Sequence, residues 1–437
     1  MNSKVCARAR RLTAQDSRKI RFSAAIGKDL LVYNHDRRVV HLLDLTRAYV
    51  DFLGQLRDYF STTPMSSVVG SLSKYLVSLL QEPLSSLSYE PINGQESSSM
   101  VSIRPLLNCL FTLAPNPLQI IDHHEHGQSI LIYLLLTKDA YFCLLPRVYS
   151  AQFYVFLSIP SILQLGAHRD QVMLTEKACA LVSAVCSRLT PHKEFDHTML
   201  DHDQIHALID VLKVLMVQSP ARQYAPLTIG AYRALFRAFD PFGRYHFLRQ
   251  QMTKTPPSED SYRTFLCTLL KDEFLQDYRT GSSDIYKGSS LFQILDPLCR
   301  LPNGVESDLL EIFDSLCSSL NFVRFIGLID KQANNRTLFW TDRLSHVNET
   351  FLKPLRKSID IARAHYKLEI KNQFENRHKR HDEQQQQADK AEILIDDKPV
   401  SMPSRKEQLE TLHSAVTKFD ILDCILGSLS DTFGDRI

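Results

Sequence analysis

The 437-residue sequence predicts an all-α protein, a HEAT/armadillo-like α-solenoid of paired amphipathic helices, and three observations carry that prediction. Leucine supplies about one residue in seven, while glycine contributes only 14 residues. That composition disfavours glycine-turned sandwiches and dinucleotide-binding sheets. Apolar residues recur at helical spacing along most of the chain, and few segments alternate with period two. Proline falls at many joints between these stripes, at positions 64, 83, 105, 146, 191, 220, 241, 256, 297 and 302, because it starts helices readily and breaks their interiors. An apolar fraction of 44% is enough for real cores. No repeat consensus is visible, so the solenoid rests on helix length and pairing, with an irregular bundle as the rival architecture.

Val40, Leu43, Ala48, Phe52, Leu56 and Tyr59 form the first stripe, and Val69, Leu72, Leu76, Leu79 and Leu80 form the next, closed by Pro83. Ser85–Ser102, with Pro91, Gly94 and three consecutive serines, reads as an exposed loop. Helices are expected over 101–113, 128–145, 151–165 and 170–189; in the last, Ala178, Leu181, Val182, Val185 and Leu189 share a face and Thr190-Pro191 ends it. Ile205, Leu208, Ile209, Leu212, Leu215 and Met216 continue the series to Ser219-Pro220, followed by 226–239, 242–251, 258–278, 288–300 and 305–329. We divide the chain into an N-terminal helical repeat region, 1–195, and a C-terminal one, 196–437.

The C-terminal third is built differently. Leu344–Phe374 reads as one long helix that Pro354 must kink or restart near Phe351–Leu355. A polar loop spans about residues 372–402; within it Lys371–Lys390 holds the cluster Arg377-His378-Lys379-Arg380-His381 and four glutamines, a solvated helix extension or linker. A short strand is conceivable at Ile393–Ile395, but no sheet is expected. Pro403-Ser404 begins a last helix with a wide apolar face from Leu409 through Leu412, Val416, Phe419, Ile421, Leu422, Ile425 and Leu426 to Leu429. So apolar a helix must dock onto those before it.

Charge and targeting signals narrow the function class. With 51 Lys+Arg against 49 Asp+Glu, the chain lacks the basic excess of a dedicated nucleic-acid binder. Its basic first twenty residues lead into no apolar core of a secretory signal, and Asp16 and Asp29 argue against a transit peptide. The longest apolar run, Ile130–Leu136, is far below the roughly 18 residues that span a bilayer. Nine unpaired cysteines read as reduced thiols of a cytoplasmic protein, with access to the nucleus left open. The sequons at Asn335 and Asn348 are then incidental.

Catalytic signatures are missing: there is no glycine-rich phosphate loop, nucleophile elbow, HExxH or CxxC. Asp122-His123-His124-Glu125-His126 is a polar turn before it is a metal site. His202 and His206, at i,i+4 spacing beside Asp201 and Asp203, would need a third ligand and a general base, and the acids are better read as complements to a helix dipole. Cys186 near His192 sketches a nucleophile and base, yet its apolar stripe assigns it to the core. No enzyme activity, cofactor or metal is expected. Trp340, the only tryptophan, is either a partner anchor or a cap on the local core.

Four pieces of the C-terminal third form an ordered set: Ser319–Phe325 leading through the polar turn 330–337 to Trp340; Asn348–Arg356, with the run FLKPLR; Ala364–Lys371, AHYKLEIK; and Leu409–Asp420. In order and spacing they resemble the glomulin family of FKBP-associated proteins, most clearly over 319–429. Arg336 and Leu338-Phe339 stand where that family has a shorter, glycine-containing turn, and the chain is shorter than the family's members. The resemblance implies a non-enzymatic HEAT-like protein that binds the RING subunit of cullin-RING ubiquitin ligases. By covering the docking surface of the ubiquitin-conjugating enzyme it would inhibit ubiquitin transfer. It also implies an FK506-binding immunophilin and a receptor tyrosine kinase as further partners, with no nucleic acid and no membrane span. The residues placed at the RING contact are Trp340, Lys353, Arg356, His365 and Tyr366; Leu352 and Leu355 are assigned to the core. The alternative is a general α-solenoid scaffold or adaptor without RING binding.

Overall fold

The computed structural model describes residues 66–434, apart from 82–83, 92, 115, 122–125, 149, 190–193, 219–223, 282–283, 333–334, 382–392, 396–397 and 401–404. The stripe Val40–Tyr59, the run Asp122–Glu125 and His192 therefore lie outside the described residues. The fold is all-α, with helices that pack as neighbouring pairs. It divides into two compact units, Met1–Asp240 and Pro241–Ile437. Phe195 donates its N–H to Ala238 O (2.8 Å) and accepts from Asp240 N (2.8 Å), and its ring lies 5.5 Å from that of Phe239. These bonds hold 196–240 to the helices before them.

The first unit contains α1 (Ser66–Ser78), α2 (Ser98–Leu113), α3 (His126–Thr137), α4 (Gln152–Ala167), α5 (Val172–Cys186), α6 (Asp203–Val217) and α7 (Ala225–Arg237). The hairpins α4/α5 and α6/α7 stack with α4 on α6 and α5 on α7, the nearest-neighbour arrangement of a solenoid. At the first of these contacts Gly166 is required: a Cβ there would sit 2.6 Å from Val211 Cγ1. The run Ile130–Leu136 is apolar on all sides because α3 packs against α1, α4 and α5 together. Each of its seven residues is at most 1% exposed, and each fully buried large side chain contributes about 1.5–3 kcal/mol before entropy is counted.

In this unit two prolines read from the sequence as possible joints or simply passed over lie in helix interiors. Pro105 sits in the middle of α2 and Pro160 in the second half of α4. Ser98 and Ser99, expected in a loop, form the first turn of α2, and Ser97 caps it by accepting from Met100 N (3.2 Å). The remaining loop, Leu84–Glu90, is tied down by a buried lysine. Lys177 of α5 is 3% exposed and donates to Ser85 O (2.9 Å) and Leu87 O (2.7 Å). Tyr89 donates to Leu84 O (2.6 Å), while Glu90 accepts from Tyr133 Oη (2.6 Å) and pairs with Lys138 (2.8 Å). Burial alone would raise the Glu90 carboxyl, but the Lys138 and Tyr133 bonds and nearby ammonium charges hold it below the usual value.

The second unit contains α8 (Pro241–Lys254), α9 (Asp260–Thr280), α10 (Ser289–Leu298), α11 (Phe313–Gln332), α12 (Lys353–His381) and α13 (Arg405–Phe433). Residues 344–374 are not one helix. Two π-helical segments, Phe339–Arg343 and Asn348–Leu352, flank one α-turn, and α12 restarts at Lys353 with Pro354 second. Lys353 N donates to Asn348 O, five residues back. That widened turn accommodates a ring that would otherwise clash with the carbonyl four residues earlier. The final helix docks as expected, packing on both α11 and α12, with Phe419, Leu422, Leu426 and Leu429 at most 1% exposed. Ile421, expected on that face, is instead 44% exposed. Between α12 and α13 the backbone makes a small antiparallel hairpin, β1 (Ile393–Ile395) with β2 (Lys398–Val400), where no sheet was expected.

Candidate partner-binding surface

The polar turn before Trp340 is a rigid, buried hydrogen-bonded knot. Asp330, 1% exposed at the end of α11, accepts from Thr337 N (3.0 Å) and Thr337 Oγ1 (2.5 Å), and its carbonyl accepts from Asn335 N (2.9 Å). Asn335, in a left-handed conformation, accepts from Trp340 N (3.0 Å). The indole is thereby aimed inward: Trp340 Nε1 donates to Gly327 O (3.2 Å), and its ring meets Phe433 edge-on at 5.0 Å. Phe433 lies so close over Gly327 that a Cβ there would sit 2.3 Å from its ring. Trp340 thus closes the contact between α11 and the end of α13, which is the core-capping alternative.

Two other expected contact residues also turn toward α13. Arg356 donates to Ser430 Oγ (2.7 Å), and Tyr366 stacks edge-on against Phe419 at 5.4 Å. Burial pushes the Tyr366 phenol above its ordinary value. Arg363, beside His365 and Tyr366 on the same helix, reaches Asp423 (3.0 Å) and Asp420 (3.3 Å) on α13. Because both acids are more than half exposed, Arg363→Ala should cost only about 1 kcal/mol. Chemical denaturation checks this, and most of the loss should vanish at high salt.

Lys353 and His365 face solvent. Lys353 pairs with Glu349 one turn back, and His365 lies edge-on to Tyr366 at 5.5 Å. They border an exposed stripe of α12 formed by Lys357, Ile361, Ala364, Leu368 and Lys371, recurring at i+4, i+3, i+4 and i+3. Ile361 is 53% and Leu368 57% exposed, the highest values among the large hydrophobic residues described. Lys367 adds a further charge at the edge. The surface is a pair of aliphatic projections in a rim of ammonium groups. Sequence reasoning missed it because the i,i+7 pair Ile361/Leu368 looks like part of a core stripe until α13 is placed on the opposite face.

The candidate chemical groups do not assemble into a reactive site. His202 stands at the N-cap of α6, outside its first turn, with its ring 5.5 Å from that of Phe156, so it and His206 are not two ligands on one helix face. Among the described residues no group of three or more His, Cys, Asp or Glu could hold a metal ion. The Cys186 thiol is buried, and its desolvation pushes its pKa up to about 12, which keeps it a poor nucleophile. Asn348 of the second sequon is only 6% exposed. No helix among the described residues is long and apolar enough to cross a membrane.

The model of a family described as uncharacterised, YAP/Alf4/glomulin, matches residues 148–414, more than half of the chain. The chain belongs to the YAP/Alf4/glomulin family. Human glomulin is 24% identical over 309 residues, covering 70% of this chain, and mouse glomulin is 23% identical over 305 residues, covering 69%. In each case the alignment covers 49% of the relative, so the chain spans about half the length of the curated relatives it matches. The YAP/Alf4/glomulin match runs from the loop before α4 into the first turns of α13. It therefore includes the Asp330–Trp340 knot and the whole exposed stripe of α12.

Proposed function

We propose that this chain is a non-enzymatic regulator that binds the RING subunit of cullin-RING ubiquitin ligases and excludes the ubiquitin-conjugating enzyme, acting in the cytoplasm. Kinship with glomulin supports the partner class, and the exposed stripe of α12 is the observation that carries the contact. A RING surface that recognises its enzyme is small and partly apolar. A competitor for it needs a few projecting side chains that become desolvated at the centre, inside a charged rim. Ile361 and Leu368 supply the centre; Lys353, Lys357, Lys367 and Lys371 supply the rim. Trp340, Arg356 and Tyr366, expected at the contact, act one step behind it by fixing α13 against α11 and α12. His365 remains beside the stripe. Inhibition then follows from mutual exclusion, with no bond made or broken.

The double variant Ile361→Asp/Leu368→Asp should weaken binding of the purified RING subunit about 100-fold, equivalent to two moderate hot spots. It should relieve inhibition of ubiquitin-chain formation and leave helicity unchanged by circular dichroism. Unchanged affinity would move the contact off α12. If the full chain neither binds the RING subunit nor slows chain formation, the protein is an adaptor of another kind.

A further inference from the structure

The second unit holds an open cleft of about 380 Å³ between the end of α10, the turn Leu301–Val305 and the irregular segment that leads into α12. Its apolar part is provided by Leu301, Val305 and Val347; Leu301 is 6% and Val347 2% exposed. Arg300, Arg343 and His346 line the same space. Arg300 is exposed and makes no hydrogen bond or ion pair to any described residue. Arg343 is held more firmly: its guanidinium lies 5.5 Å from the centre of the Phe292 ring and pairs with Asp296. Its Nε is nevertheless buried with no hydrogen-bond partner. Two arginines thus face one carboxylate, beside an apolar floor.

A ligand that suits this cleft must bring negative charge and an aliphatic group together. A bare phosphate would meet the arginines and leave the floor empty. Nucleic acid would call for an aromatic platform on which bases stack, and no Phe, Tyr or Trp lines the cleft. Charge and shape together favour a peptide. We propose that this cleft is a docking site for an extended peptide segment in which a Leu or Ile side chain is flanked by Asp or Glu. The aliphatic group would rest on Val305 and Val347, and a carboxylate would accept from the guanidinium groups of Arg300 and Arg343. The proposal does not depend on RING binding.

A fluorescein-labelled peptide of sequence DELDL, titrated with the full chain and followed by fluorescence polarisation, tests the proposal. Saturable binding is expected, weakened at least about tenfold by Arg300→Glu, which reverses the rim charge, and likewise by Val305→Trp, which fills the space. Circular dichroism of both variants should match the parent, since Arg300 and Val305 bear no structural bond. The lysine counterpart KKLKL should not bind. Absence of saturable binding up to about 1 mM peptide, or an affinity in both variants equal to that of the parent, overturns the proposal. Displacement by inorganic phosphate at a similar concentration also overturns it, by assigning the cleft to a bare anion.

Discussion

Replacing Lys177 by methionine will destabilise the protein by about 4 kcal/mol, the largest effect we expect from one substitution. Methionine keeps most of the length and apolar character of the lysine stem but loses the ammonium group. The carbonyls of Ser85 and Leu87 then lose donors at 2.9 and 2.7 Å, the first of them buried. The face of Tyr89, 5.2 Å from Nζ, loses its cation as well. Lys138→Met is the control: its partner Glu90 is 56% exposed, so the cost should stay below about 1 kcal/mol. Urea denaturation followed by circular dichroism measures both. A loss for Lys177→Met no greater than that for Lys138→Met would show that the loop is held by packing and not by the lysine.

Asp330→Ala comes second, with an expected loss of about 3 kcal/mol. The carboxylate satisfies the N–H and hydroxyl of Thr337, itself 3% exposed, and alanine leaves both buried groups without that acceptor. Asp330→Asn should cost much less, because its amide oxygen can still accept from Thr337 N while its amide nitrogen donates to Oγ1. Trp340, as the sole tryptophan, reports on the second unit directly. Its emission should shift to the red in Asp330→Ala and stay in place in Asp330→Asn. Equal shifts in the two variants would mean that the knot does not position the indole.

Helix existence was readable because the apolar stripes follow the 3.6-residue period, and Leu352 and Leu355 fall in the core as their spacing implied, both at 0% exposure. The misreadings share one cause: a local signal was overridden by contacts distant in sequence. Pro105 costs α2 a backbone bond, yet burial of Ile103, Leu106, Leu107 and Leu110 on one side of the helix offsets that cost.

The candidate site was legible only in outline. Of the residues expected there, Arg356, His365 and Tyr366 share one long helix with Lys353, but a helix with a mixed face does not disclose which side its neighbour will cover. Arg356, Arg363 and Tyr366 proved to be the covered side, with partners on α13. Ile361 and Leu368 were left outside. The π-turn ahead of Pro354 was foreseen as a break but not as a widening, since the stereochemical demand of proline is local while the remedy chosen depends on how Phe351 and Leu352 are buried.

The position of α13 has a consequence for how the protein is made. Synthesis runs from the N-terminus, so α11 and α12 leave the ribosome before the helix that packs against both of them. Until Phe419, Leu422, Leu426 and Phe433 arrive, the apolar faces they cover stay wet and open to wrong association. A nascent chain halted within residues 405–433 would present those faces permanently. Quality control in the cell would then recognise an unfinished second unit by the same surfaces that the finished one conceals.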